Sequence, residues 1–143
     1  MKQRLFITGG AGYVGAMLID QFASRDDVEA IITLDKEPET SLTSHHSHKD
    51  KITYIHANTS DDGWEAKVNA FEPTVVINTA WQIRHMYNNE LTEWKWNIDG
   101  TDKVFNLAFT TASVKKLIHF STVASYGAFA DNKLDHFYKE EEK

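Results

Sequence analysis

The sequence predicts an α/β fold built on a doubly wound parallel sheet. Short, nearly all-apolar segments alternate along the chain with segments whose apolar residues recur at helical spacing. Buried parallel strands have near-continuous apolar runs because helices cover both faces of the sheet. A glycine-rich segment joins the first strand to the first helix, and the second strand stops at an acidic residue. Since crossovers between parallel strands are right-handed, we expect helices on both faces.

Five strands alternate with three helices in this interpretation. The strands are predicted at residues 4–8, 30–34, 52–56, 74–77 and 117–120. The helices are predicted from Tyr13 to about Arg25, from the capping residues 58–60 to about Phe71, and from about Asn89 to Ala112. Pro73 ends the second helix, and Ser, Thr and His residues predict a loop over 36–51. The expected strand order is 3-2-1-4-5.

The third helix is long, and its apolar positions recur at steps of three and four. These positions are Leu91, Trp94, Ile98, Thr101, Phe105 and Ala108. The spacing predicts that they share one face and that Trp94 belongs to the core. Trp96 lies off this stripe, where an exposed tryptophan could mark an interface. Gly100 costs the helix ~1 kcal/mol relative to alanine, which indicates a close packing partner. His119, inside the fifth strand, is expected to be a hydrogen-bonded core histidine.

Composition limits the function before any motif is considered. The chain has 143 residues, a net charge of −6 and no cysteine. One domain with a real core is expected. Net acidity argues against general nucleic-acid binding, and the absence of cysteine excludes disulfides, thiolate metal sites and cysteine nucleophiles. No apolar run approaches the ~20 residues that span a bilayer, and the N-terminus does not resemble a signal peptide. A cytoplasmic protein is expected.

The histidines and the loop after the fourth strand give no strong sign of a site. His45, His46 and His48 lie close together in a polar loop, where imidazoles are usually solvated, so no metal site is expected. Arg84 and His85 follow the fourth strand, and a polar loop is the favoured interpretation there.

The glycine-rich segment carries the strongest functional signal. It reads Thr-Gly-Gly-Ala-Gly-Tyr-Val-Gly over residues 8–15. Gly9 permits a tight turn, Gly12 lets the backbone approach a pyrophosphate, and Gly15 lets the helix pack on the sheet. Asp35 lies 20 residues beyond Gly15, and its carboxylate suits a ribose diol and repels a 2′-phosphate. A Rossmann-like site for NAD is therefore predicted, although the neighbouring Lys36 weakens the preference over NADP.

Further segments extend the pattern through nearly the whole chain. They are Asn58 with Asp61, Asn78–Trp81, Asn97–Thr101 and Ser121–Gly127. With Thr8–Gly15, they resemble the extended short-chain dehydrogenase/reductase family, the NAD-dependent epimerase/dehydratase group. Asn58 departs from the family's usual aspartate, and Trp81 stands where the family has a smaller residue. Glycine motif and resemblance together imply cofactor contacts at Gly9, Gly12, Tyr13, Val14, Gly15, Asp35, Lys36, Asn58, Thr59, Thr79, Ala80, Trp81, Asn97 and Ser121.

The resemblance also implies a catalytic apparatus, of which this chain holds one part. Thr122, four residues before Tyr126, matches the family's catalytic hydroxyl, and both are expected near the nicotinamide. The family's Tyr-x-x-x-Lys pair is missing, because no tyrosine of this chain has a lysine four residues later. We therefore expect a truncated chain: an NAD-binding domain over 1–130, a charged tail over 131–143, and no C-terminal substrate-binding part.

Three interpretations of function remain open. In the first, the parent protein is an oxidoreductase that transfers hydride during epimerisation, dehydration or reduction of a nucleotide sugar or similar hydroxyl substrate. This chain alone would bind NAD without turnover, and its uncovered long helix would self-associate, as in a homodimer. In the second, the chain is a non-catalytic dinucleotide-binding sensor or regulator. In the third, it is an interaction module with a vestigial cofactor site.

Overall fold

The structure, a computed structural model, confirms the α/β class and the strand order. It describes residues 2–39, 48–122, 136, 139 and 141. The strands are β1 (Gln3–Thr8), β2 (Val28–Asp35), β3 (Ile52–His56), β4 (Val75–Asn78) and β5 (Lys116–His119). They form one five-stranded parallel sheet in the order β3-β2-β1-β4-β5. The expected boundary between residues 130 and 131 lies outside the described residues, as do Tyr126, His45 and His46.

The helices cover the two faces of the sheet. They are α1 (Tyr13–Ala23), α2 (Trp64–Phe71), α3 (Glu90–Trp94) and α4 (Gly100–Thr110), with a short 3-10 helix at Lys49–Lys51. On one face, Ile19 and Ala23 of α1 pack on Leu5 and Ile7. On the other, α2 and α4 pack on Phe6 and its neighbours. Successive residues of β1 thus point into opposite cores, as the pleat of a buried central strand requires.

The long third helix is interrupted, which overturns the predicted stripe. A π-helical turn at Lys95–Asp99 separates α3 from α4. Leu91 and Trp94 are 88% and 64% exposed, so the prediction of Trp94 as a core residue is wrong. The buried positions of this segment are Asn97, Gly100, Val104, Leu107 and Ala108. A π-turn inserts one residue into the helical repeat, and a period of 3.6 cannot be continued across it.

The second helix begins later than predicted. Asn58 caps a turn instead, in which Ser60 N donates to Asn58 Oδ1 at 3.0 Å. Asn58 N donates in turn to Asp61 Oδ2 at 2.9 Å. The helix starts at Trp64, after Gly63. Short polar side chains bond the nearby backbone as readily in a turn as at a helix start, so their presence alone misplaced the boundary.

His119 is not a core residue. It ends β5, whose described pairing is with β4 alone, and it is exposed. Its Nδ1 lies 3.2 Å from Asn78 Nδ2, and its ring packs edge-on against Phe105. The expected hydrogen-bond partner is therefore present, but the residue lies at the sheet edge rather than inside it.

Candidate cofactor site

An open cavity lies at the carboxyl-terminal edge of the sheet, where β1, β2 and β4 end and α1 begins. Its volume of about 320 Å³ is sufficient for part of a small ligand, since such sites occupy roughly 300–1,000 Å³. It is lined by Gly9, Ala11, Gly12, Tyr13, Val14, Gly15, Leu34, Asp35, Lys36, Glu37, Asn58, Thr59, Thr79, Ala80, Trp81, Gln82, Ile83 and Trp96. Open α/β sheets bind ligands at this edge, where the strand order reverses.

The glycine-rich loop forms one wall of the cavity. Gly9 has a φ of +75°, and its N–H donates to the Leu34 carbonyl at 2.8 Å. Gly12 caps α1 and donates to the Gly9 carbonyl at 3.0 Å. At Gly15 an added Cβ would lie 2.1 Å from Gly9 O, so the first turn of α1 touches the loop backbone. The loop therefore turns sharply and directs the N-terminus of α1 at the cavity, an arrangement that attracts phosphate.

Asp35 joins the end of β2 to this loop. Its Oδ2 accepts a hydrogen bond from Ala11 N at 3.0 Å, and its Oδ1 accepts one from Glu37 N at 2.9 Å. A carboxylate that accepts two backbone N–H bonds is held in one orientation. The acid that the sequence assigns to a ribose diol thus lies in the cavity wall and fixes the loop at the same time.

Thr8 fixes the wall on the β4 side. Its side chain is fully buried, and its Oγ1 donates to Asn78 Oδ1 at 2.5 Å. The same oxygen accepts from the N–H groups of Thr79 and Ala80, each at 3.2 Å. One hydroxyl therefore positions the two residues with which the chain leaves β4 and enters the cavity wall. No role for Thr8 was predicted from the sequence, although its polar side chain at the end of an apolar strand was the available signal.

Asn97 lies outside the cavity lining and fixes the backbone of the next part of that wall. The π-turn directs its side chain at Gln82, where Oδ1 accepts from Gln82 N at 2.6 Å and Nδ2 donates to Gln82 O at 3.1 Å. Asn97 itself does not line the cavity, whereas Trp81, Gln82 and Ile83 do. Its place in the site is to position this loop.

Asn58 and Thr59 complete the wall after β3. The Trp64 indole N–H donates to Thr59 O at 3.1 Å. An added Cβ at Gly100 would lie 2.3 Å from Thr59 Oγ1, so the packing partner expected for this glycine is Thr59. The close contact lets α4 seat directly beneath the turn that carries Asn58.

All but two of the predicted cofactor residues line this cavity. The exceptions are Asn97, which acts from behind, and Ser121, which is exposed beyond β5. Thr122 is exposed beside Ser121 and outside the lining, so the roles of both stay predictions. The lining residues that were not predicted are Ala11, Leu34, Glu37, Gln82, Ile83 and Trp96. For Glu37 and Trp96, the available signal was their position next to the predicted Lys36 and Asn97.

Among the described residues, the features outside this cavity that the sequence singled out do not form a second site. His85 Nδ1 lies 2.9 Å from Glu93 Oε2, and neither His85 nor Arg84 lines the cavity. In the part of the chain that the structure describes, no three His, Cys, Asp or Glu side chains are grouped to hold a metal ion. No described helix is both long and apolar enough to cross a bilayer.

Fold and cavity together define a Rossmann-type dinucleotide site: a glycine-rich turn, a helix N-terminus and an acid at the end of the second strand. The family model described as "NAD dependent epimerase/dehydratase family" matches residues 5–142. The chain belongs to this family. It is 27% identical over 129 residues to a UDP-glucose 4-epimerase of Mycolicibacterium smegmatis, covering 87% of this chain and 40% of that protein.

Solved structures agree with this assignment. The Bordetella bronchiseptica enzyme WbmG, in complex with NAD and UDP, has a TM-score of 0.71 and 25% identity, covering 89% of this chain and 40% of that one. The UDP-Glc/GlcNAc 4-epimerase of Campylobacter jejuni has a TM-score of 0.74 and 25% identity, covering 87% and 39%. The epimerase Mth375 of Methanothermobacter thermautotrophicus shares the fold, with a TM-score of 0.80 and 21% identity, covering 99% and 40%. The chain thus spans about 40% of the length of these relatives.

Proposed function

We propose that this chain is the NAD-binding portion of an epimerase/dehydratase-like oxidoreductase. The observation that carries the proposal is the glycine-rich loop, locked to Asp35 and facing one cavity with the N-terminus of α1. The pyrophosphate would lie against Gly12 and the helix N-terminus, and the adenine ribose diol against Asp35. Asn58 would face the adenine, and Thr79–Trp81 would follow the cofactor toward its other end.

The reaction we propose for the parent protein is epimerisation, dehydration or reduction of a nucleotide sugar or a similar hydroxyl substrate. The names of the UDP-sugar epimerases above support this substrate class. Bound NAD would supply the hydride acceptor. Thr122 would donate a hydrogen bond to the substrate oxygen that gains or loses a proton. Because these 143 residues hold no tyrosine with a lysine four residues later, we propose that the chain alone binds NAD without turnover, and that it acts in the cytoplasm.

Replacement of Gly12 by valine tests the cofactor site. We expect Gly12→Val to lower NAD affinity by about 100-fold or more, because the branched side chain occupies the approach of the pyrophosphate. The fold should tolerate the change at a cost of about 1 kcal/mol. Gly12 has an ordinary extended backbone, with φ −79° and ψ 165°, and an added Cβ would lie 3.2 Å from Gly9 O. Calorimetric titration with NAD, beside urea unfolding, measures both quantities.

The matched control is Met17→Val, which places the same side chain five residues further along the chain, in α1. Met17 is 47% exposed and outside the cavity lining, so NAD affinity should stay within about twofold of the unaltered chain. A chain that does not bind NAD at all refutes the cofactor proposal. Equal NAD affinity of Gly12→Val and the unaltered chain would show that the pyrophosphate does not lie against this loop.

We further propose that the parent protein is a homodimer and that this chain self-associates through α3. Leu91 and Trp94 are 88% and 64% exposed there, and their spacing of three residues places both on one helix face, where a second copy could cover them together. We expect Trp94→Glu to convert dimers to monomers in multi-angle light scattering. Met17→Glu, on the opposite face of the sheet, should leave the mass unchanged. A monomeric unaltered chain at high concentration contradicts this part of the proposal.

A further inference from the structure

Lys36 is the one cationic side chain among the described residues that line the cavity. It directly follows Asp35, at the position from which a basic group could meet the 2′-phosphate of NADP. The sequence alone leaves this lysine ambiguous, since a free ammonium group beside the adenine ribose would offset the repulsion from Asp35. What Lys36 contacts therefore decides whether the site discriminates between the two cofactors.

Two groups already engage the Lys36 ammonium. It forms an ion pair and hydrogen bond with the Glu37 carboxylate. It also lies 5.2 Å from the centroid of the Trp96 ring, within the range of a cation–π contact. The hydrogen bond from Lys36 lowers the pKa of Glu37, so this carboxylate is ionised at neutral pH. Asp35 and Glu37 carry two negative charges against the one positive charge of Lys36, so the charged side chains that line the cavity have a net negative charge.

The backbone that carries these side chains is held from β3. Tyr54 Oη donates to Glu37 O at 2.6 Å, and His56 Nε2 donates to Lys36 O at 2.9 Å. Glu37 N is bound by Asp35, and Trp96 is placed by the π-turn. The Lys36 and Glu37 side chains are 35% and 58% exposed, so their pair depends on this fixed backbone, which keeps the two groups adjacent.

We propose that Glu37 and Trp96 sequester Lys36 and thereby make this site reject a 2′-phosphate, so that NAD is bound in preference to NADP. The proposal rests on the proposed NAD site. A bound NADP would have to place its phosphate beside two carboxylates and draw the one lining cation away from both of its contacts. NAD, which ends in a ribose diol, meets Asp35 without either cost.

Glu37→Gln releases Lys36 while keeping the size of the side chain. We expect the ratio of NADP affinity to NAD affinity to rise by about tenfold, because one negative charge is removed and one positive charge is freed near the phosphate. Calorimetric titrations with NAD and NADP at low salt give the ratio. A ratio unchanged from that of the unaltered chain overturns the proposal.

Three further variants make the result specific. Adding Lys36→Gln to Glu37→Gln should cancel most of the rise, since the freed cation is gone. Trp96→Leu should raise the ratio by a smaller factor, about threefold. An unchanged ratio would show that the Trp96 ring does not help to hold Lys36. Glu29→Gln breaks a comparable exposed pair, 2.9 Å from Arg4 at the far end of β2, and should leave the ratio unchanged. Failure of the unaltered chain to bind either cofactor would refute the proposed function, whereas binding of NAD with no change in these ratios refutes the inference alone.

Discussion

Gly15→Ala is expected to cost this chain both its cofactor site and a large part of its stability. The added Cβ would lie 2.1 Å from Gly9 O and 2.7 Å from Gly9 C, and both atoms are backbone. No rotamer change can relieve the contact, so α1 or the loop must move. Movement breaks the hydrogen bond from Gly12 N to Gly9 O, which sets the turn. We expect NAD affinity to fall by about 100-fold or more and the free energy of unfolding to fall by about 1–3 kcal/mol.

Gly63→Ala separates this effect from ordinary backbone strain. Gly63 has a φ of +93°, and an added Cβ would meet nothing within 4 Å. Alanine there should cost about 1 kcal/mol of stability through its disfavoured φ, and NAD affinity should be unchanged. Urea unfolding and calorimetric titration of both variants give the comparison. If Gly15→Ala binds NAD as well as the unaltered chain does, the close approach of α1 to the loop is not needed for the site.

The sheet and the glycine-rich loop were predictable because their signals are local. Residues 52–56 form β3 with the predicted bounds, since an apolar run between a polar loop and a turn leaves little choice. Gly9, Gly12 and Gly15 line the cavity as their spacing requires. The strand order 3-2-1-4-5 followed from the Rossmann-like doubly wound pattern, which needs no side-chain detail.

The error in the long helix has a different origin. A regular period was assumed from residue 89 to residue 112, and the sequence carries no local mark of a π-turn. The stabilising contact of that turn is long-range: Asn97 holds the backbone of Gln82, fifteen residues earlier. The inserted residue turns Trp94 outward and brings Trp96 to the cavity. The position of the π-turn could therefore be predicted only if this contact were already known.

The same limit applies to the charges around the cavity. Asp35 was predictable from its distance to Gly15, but the state of Lys36 depends on Trp96, which lies 60 residues away in sequence. His119 was assigned to the core because its strand is apolar, although β5 is the outer strand of the described sheet. Sequence spacing indicates which residues reach the site. The groups that pair with their charges, and the exposure of each side chain, depend on tertiary contacts.

Thr8→Val should be the most damaging substitution that leaves shape unchanged. Valine matches threonine in volume, so the fully buried site is still filled. The hydroxyl's three partners are lost, namely Asn78 Oδ1 and the N–H groups of Thr79 and Ala80. An unsatisfied buried polar group costs about 1–3 kcal/mol, so we expect a loss of about 3 kcal/mol in the free energy of unfolding. NAD affinity should fall by about tenfold, because the wall formed by Thr79 and Ala80 is no longer fixed.

Thr8→Ser distinguishes the hydroxyl from the packing. Serine restores the donor and acceptor and loses only a methyl group, so it should recover the NAD affinity while costing about 1 kcal/mol of stability. Urea unfolding measures the change in stability, and calorimetric titration measures the change in NAD affinity. If valine instead preserved NAD affinity and serine weakened it, the methyl group and not the hydroxyl would hold the β4 side of the cavity. The two variants thus decide whether one buried hydrogen-bonding atom couples the end of β1 to the cofactor wall.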